Sequence, residues 1–230
     1  MDMMRHPLEL LFPPELGVEM LYSFVIIICS LMIYYSTKEI YELSSYKGIK
    51  YFRQSFLFFA IAYFFRYFIV FFMAFFNIQG MLGLSPREVL NVSMMIFLYS
   101  SSMAVFYLVY SVMWKKWNHS RLRIYLFNLL AIVIAFMGIL FRSMEMSLLL
   151  NLILFLFVAF VLTVAYNDSK DKKKGKGLLV IYLFLFIFFF LNIVDILIPK
   201  FLQFYKMGIY LASVFLFMAI LYKVLKKIGN

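Results

Sequence analysis

The chain has 230 residues, 66% of them hydrophobic and 14% charged, whereas a soluble domain carries roughly half apolar and about a quarter charged residues. This excludes a sizeable water-soluble domain, because the longest polar or mixed stretches, residues 1–16, 38–54 and 167–177, are each too short for a core of their own. The net charge of +11 does not point to nucleic acid, since a basic groove with stacking aromatics needs an aqueous face and the aromatics here lie inside the apolar runs.

Seven apolar runs follow one another at about 17–37, 54–76, 89–113, 124–141, 146–166, 178–198 and 208–225, each near the roughly 17–25 residues that cross a bilayer core. In hydrocarbon a backbone must satisfy its own polar groups, so these runs are expected to be helices. The fold class is therefore an all-α integral membrane protein, a seven-transmembrane-helix bundle forming one domain over residues 1–230. No small-residue cleavage pattern follows the first run, so it is expected to be a retained span. Cys29, the single cysteine, lies in that run and reads as a packing residue.

After the first run, Lys38 and Glu42 stand at i, i+4, so the helix is expected to continue past the membrane, with Gly48 ending a turn before Lys50 and Arg53 lead into the second run. The third run carries Ser93, Phe97, Ser100, Ala104, Tyr107 and Ser111 at spacings of four and three. Small residues let helices approach, and this stripe marks the third helix as the expected centre of the bundle. Trp114 and Trp117 flank Lys115 and Lys116 and read as interfacial anchors. Only residues 142–145 separate the fourth and fifth runs, which predicts a tight antiparallel hairpin. The lysine-rich stretch 168–176 is expected to be a loop that signals orientation and meets anionic lipid.

Orientation follows from the cations. Of the 22 Lys and Arg residues, sixteen fall on the side that is cytoplasmic if the N-terminus is outside, among them Lys38, Lys47, Lys50, Arg53, Lys115, Lys116, Lys172, Lys173 and Lys174. Five fall on the other side, so the positive-inside rule predicts the N-terminus outside and the C-terminus cytoplasmic. The remaining cation, Arg66, is inside the second run, twelve residues past Gln54 and so about 18 Å into the bilayer. An arginine there requires a polar partner or a watery cavity. The acid nearest in depth is Asp195, about 25 Å from the same edge. Asn192, one turn earlier, and Ser100 complete the expected intramembrane polar centre. Its two readings are a site for a small polar or anionic ligand and a fixed ion pair that specifies packing. Asn91, Asn128 and Asn151 read as single amides that bridge helices.

Several activities lose their footing. The histidines, His6 and His119, lie outside the runs, which removes an intramembrane histidine metal cluster or proton relay. There is no Gly-x-Ser-x-Gly element and no pair of intramembrane aspartates, so no enzyme, metal or cofactor is expected. No lysine is deep in the last run, which argues against a retinal protein. None of the five prolines lies within a run, against the broken helices of many transporters.

The seven-span, N-out topology resembles the membrane-embedded sensor modules of prokaryotic signalling proteins. It implies a non-enzymatic sensor or accessory subunit in the cytoplasmic membrane of a prokaryote, acting through a partner protein on its basic face. The alternatives are a small-solute or ion transporter with its site around Arg66 and Asp195, and an assembly subunit of a larger membrane complex.

Overall fold

The computed structural model describes residues 14–68, 85–117, 121–141, 143–171, 176–198 and 203–228. They form seven helices: α1 (Pro14–Ser44), α2 (Lys47–Tyr63, continued by a π-helical turn at Phe64–Phe68), α3 (Pro86–Met113), α4 (Arg121–Leu140), α5 (Met144–Asp171), α6 (Lys176–Leu197) and α7 (Gln203–Ile228). Six of them, all but α2, are long and apolar enough to cross a membrane, and the chain is a multi-pass helical membrane protein. The second expected span, 54–76, runs beyond the described residues.

Neighbours in sequence pack on one another, and α7 returns to α1, closing a ring of α1, α2, α3, α5, α6 and α7. Helix α4 packs on α3 from outside this ring. The expected α4–α5 hairpin is tight only at its turn: of the consecutive pairs, these two helices share the smallest interface, and α5 leans on α3 and α6 instead. Helix α3 is buried over 56% of its most apolar window, against 22–33% for the other five candidate spans, so it is the most enclosed of the six. Ser93, Ser100, Ala104 and Ser111 of its small-residue stripe are all buried.

The middle of the bundle is aromatic. Phe56 and Phe59 of α2, Phe188 of α6 and Phe217 of α7 are each at most 2% exposed, with ring centroids 4.7–6.4 Å apart in tilted and edge-to-face arrangements. Such pairs add about 0.5–1.5 kcal/mol each beyond their contact area. Packing of this kind matters more in lipid than in water, because burying apolar surface gives little between helices that lipid already solvates.

Helix ends follow local chemistry. At the start of α3, Ser85 and Glu88 form a capping box: the Glu88 amide donates to Ser85 Oγ at 3.4 Å and the Ser85 amide to Glu88 Oε2 at 2.7 Å, with Pro86 at the first helical position. Helix α1 does continue past its expected span to Ser44, with Lys38 and Glu42 paired at 3.7 Å. Helix α5 likewise runs through Asp171, into the stretch expected to be a loop. The turn after α1 is not made by Gly48. Ser45 takes the left-handed backbone conformation (φ 51°), while Gly48 sits in the first turn of α2. There the absence of a side chain brings α2 against α3: a Cβ would stand 2.5 Å from Tyr46 Cε1, 2.7 Å from Trp114 Nε1 and 3.0 Å from the Ser111 carbonyl oxygen.

Gly48→Ala should therefore destabilise the protein by about 1–3 kcal/mol through overpacking. Gly208→Ala, whose Cβ would meet nothing within 4 Å, should be neutral or stabilising by up to about 1 kcal/mol. Unfolding titrations in mild detergent measure both, and equal stability of the Gly48 variant and the wild type would refute the close approach.

Candidate functional site

Arg66 lies in the π-helical turn that continues α2. Such a turn widens the helix and releases a backbone carbonyl from its regular partner, a feature frequent at functional sites. Here Ser93 of α3 donates its hydroxyl to the carbonyl of Phe65, so a serine of the packing stripe stabilises the irregular turn. The Arg66 guanidinium stands over the Phe97 ring, 5.2 Å from its centroid, within the range of a cation–π contact.

These residues line a cavity of about 710 Å³ at the end of the bundle away from the lysines. Phe65 and Arg66 form one wall, Leu90 to Leu98 of α3 another, and Ser147, Leu150 and Asn151 of α5 a third; Asn192 and Ile196 of α6 and Gly138 of α4 complete it. The exposed Ser143 and Met144 at the α4–α5 turn also line it, so it opens at that end. Among the described lining residues the charged side chain is Arg66, and none is a carboxylate. The volume lies within the roughly 300–1,000 Å³ of small-molecule sites.

The expected polar centre is brought together only in part. Arg66 and Asn192 face the same cavity. Asp195 does not line it; it is buried on α6 with Oδ1 lacking a hydrogen-bond partner among the described residues. The ion pairs among those residues are Lys38–Glu42 and Lys116–Asp168, and the expected Arg66–Asp195 bridge is not one of them. Ser100 is 2% exposed and packs within α3's buried face, outside the cavity wall. Asn91 and Asn151 take part instead, whereas Asn128 does bridge helices by accepting from Tyr99 Oη at 2.7 Å.

A tyrosine relay runs from the cavity to the far side of the ring. Tyr63 donates to Asn192 Oδ1 at 3.4 Å, so the 3.1 Å contact between the Tyr22 and Tyr63 hydroxyls has Tyr22 as donor. Tyr22 in turn stacks on Tyr210, with centroids 4.8 Å apart, and Tyr210 donates to Glu19 at 3.1 Å. Through these contacts α6, α2, α1 and α7 share one polar seam.

The cations gather at the opposite end. Lys38, Lys47, Lys50, Lys115 and Lys116 are exposed there, whereas Arg53 is half-buried, donating to the Tyr34 carbonyl at 3.0 Å and lying over the Tyr34 ring. Lys172, Lys173 and Lys174 lie outside the described residues. Trp114 and Trp117 are more than interfacial anchors: Lys115 sits over Trp114 and Arg123 over Trp117, and Trp117 packs on Tyr110 and Phe127. A smaller cavity of about 250 Å³ opens at this end between Thr37, Tyr46, Phe52, Ser111, Asp168 and Tyr182. The aromatic layer of Phe56, Phe59, Phe188 and Phe217 lies between the two cavities.

Comparison with known proteins yields a relative but no activity. An uncharacterized protein of the archaeon Archaeoglobus fulgidus is 32% identical over 141 residues, covering 57% of this chain and 61% of the relative. The match thus spans less than two thirds of that protein's length. No protein-family model and no solved structure matches.

The cavity's accessibility can be tested with single cysteines, because Cys29 is buried and gives a low background. Ser147→Cys in nanodiscs should react readily with a small charged methanethiosulfonate, and Ser100→Cys should react at least tenfold more slowly. Equal rates at the two positions would show that no such cavity exists.

Proposed function

We propose that this chain is a non-enzymatic membrane sensor or accessory subunit that holds a small polar or anionic ligand at Arg66 and acts through a partner protein at its basic end. The observation that carries this reading is that Arg66, Asn151 and Asn192 line one open cavity of small-molecule size. An arginine inside a bundle faces polar company or water, and a guanidinium on the wall of an open cavity suits an anionic group there. The aromatic layer favours a sensor over a transporter: a solute bound at Arg66 is separated from the basic end by fully buried rings, which transport would have to part.

The orientation belongs to the same reading. With seven crossings and the lysines on the cytoplasmic side, the Arg66 cavity faces outward and the partner meets Lys38, Lys47, Lys50, Lys115 and Lys116. The tyrosine relay supplies a physical connection from the ligand to α1 and α7, whose inner ends carry part of that basic face.

The test uses the full chain in nanodiscs with acetate, 4-methylpentanoate, sulfate and phosphate as probes. At least one anion should raise the thermal midpoint, by an amount corresponding to about 2.7 kcal/mol at a hundredfold excess over its dissociation constant. Arg66→Gln should abolish the shift while the protein still elutes as a folded species. Proteoliposomes should show no uptake of that anion above protein-free vesicles. Absence of any stabilising anion would refute the sensor reading, and Arg66-dependent uptake would replace it with a transporter.

A further inference from the structure

The cavity at the basic end differs in kind from the one at Arg66. Each helix of the ring gives it an apolar wall: Ile40 of α1, Phe52 of α2, Val112 of α3, Ala165 of α5, Leu178 of α6 and Val224 of α7. Its exposed lining residues, Tyr46 and Asp168, lie beyond the apolar runs, so the mouth is at the end of the bundle and the ring stands between the interior and lipid. Four of the hydroxyls that line it have their protons committed. Thr37 donates to the Ile33 carbonyl at 2.6 Å, Ser111 to that of Leu108 at 2.7 Å, Ser169 to that of Tyr166 at 2.7 Å, and Tyr182 to Ser111 Oγ at 3.0 Å. These groups have no donor left for a carboxylate or phosphate, so the interior suits an apolar group.

Charge gathers at the mouth instead. Lys116 Nζ is 3.6 Å from Asp168 Oδ1, Lys115 Nζ is 5.1 Å from the centroid of the Tyr46 ring, and the exposed Lys47 and Lys50 flank the lining residues Gly48 and Ile49. The polar segments on this side hold sixteen Lys and Arg against four acids, Glu39, Glu42, Asp168 and Asp171. An acidic surface is therefore the electrostatic complement of this end. At about 250 Å³ the cavity falls below the roughly 300–1,000 Å³ of small-molecule sites, and an apolar pocket of that size suits one anchoring side chain.

We propose that this cavity is the anchor point of the partner protein: an acidic segment lies over Lys47, Lys50, Lys115 and Lys116 and inserts one large apolar side chain between Phe52, Val112 and Leu178. It rests on the reading that a partner meets the basic end, and it names the chemistry of that partner. An acidic surface without an anchor leaves the apolar interior unfilled, and a membrane lipid reaches that interior only past the helices of the ring.

A displayed library of random short peptides, depleted on empty phosphatidylcholine nanodiscs and then selected on the full chain in the same nanodiscs, reads the preference directly. Enriched peptides should carry a large aliphatic or aromatic residue flanked by aspartate or glutamate. For the best of them, made with a fluorescent label, replacing that apolar residue by alanine should weaken binding at least tenfold. Ala165→Phe, which fills the cavity, and Ser169→Trp, which crowds its rim, should do the same, and the thermal midpoint of each variant establishes that it is folded. Changing Lys47, Lys50, Lys115 and Lys116 together to glutamine should weaken binding at least fivefold. If the peptide binds equally well without its apolar residue and to the filled variants, yet loses affinity for the lysine variant, the anchor inference is wrong while the basic end stands as the partner's surface. If no peptide is enriched over empty nanodiscs, or the enriched peptides are basic, the partner reading falls with it. A phosphatidylglycerol molecule retained by the wild type in native mass spectrometry and lost from Ala165→Phe would give the cavity to lipid instead.

Discussion

The backbone polar groups within this bundle must find their partners inside the protein, because the surrounding hydrocarbon offers none. That constraint accounts for the helices, whose backbone bonds are internal, and for the local habits of their polar side chains. Thr37, Ser102, Asn128, Asn151 and Asn192 each donate to the carbonyl four residues back on their own helix. Where two such groups meet across helices they form short bridges: Tyr182 donates to Ser111, whose own proton goes to the Leu108 carbonyl. The π-helical turn at Arg66 obeys the same rule, since the Phe65 carbonyl is taken up by Ser93.

Packing then divides the interior. Small residues on α3 allow α2 to press against it, and Gly48 extends that approach to the basic end. The phenylalanines of α2, α6 and α7 fill the space beside that contact, so the molecule has a dense middle and a cavity towards each end. At the Arg66 end, α5 packs more closely on α3 and α6 than on α4, and residues of all four helices line the cavity. Packed rings and one seam of hydroxyls lie between the two ends.

The candidate site was half legible. Arg66 stood out because an arginine about 18 Å into a run of aromatics is costly. Asn192 stood out by its depth beside it. Depth alone pairs Asp195 with Arg66, and depth says nothing about side-chain direction: Asn192 lines the cavity, whereas Asp195 is buried and makes no ion pair with Arg66 among the described residues. Asn151 reads from the sequence as an isolated amide, although its position near the start of α5 matches the cavity's depth. The π-helical turn left no signal of the usual kind, because it contains neither proline nor glycine. The capping box at Ser85, by contrast, was there to be read in the Ser-Pro-Arg-Glu sequence.

What the sequence alone determined is the set of helices and their common polarity. Apolar runs of bilayer length can satisfy their backbones only as helices, and the unequal distribution of lysines between alternate loops gathers them at one end. Six of the seven expected runs are recovered as helices long and apolar enough to cross a membrane, with ends shifted where polar helical turns such as 38–44 and 167–171 extend beyond the apolar core. What only the tertiary structure decided is which side chains share a space. That depends on the rotation and tilt of each helix, on the outward placement of α4, and on the parting of α4 from α5. These are set by side-chain packing between segments far apart in the chain, where a lipid-facing residue and a core residue can have the same hydrophobicity.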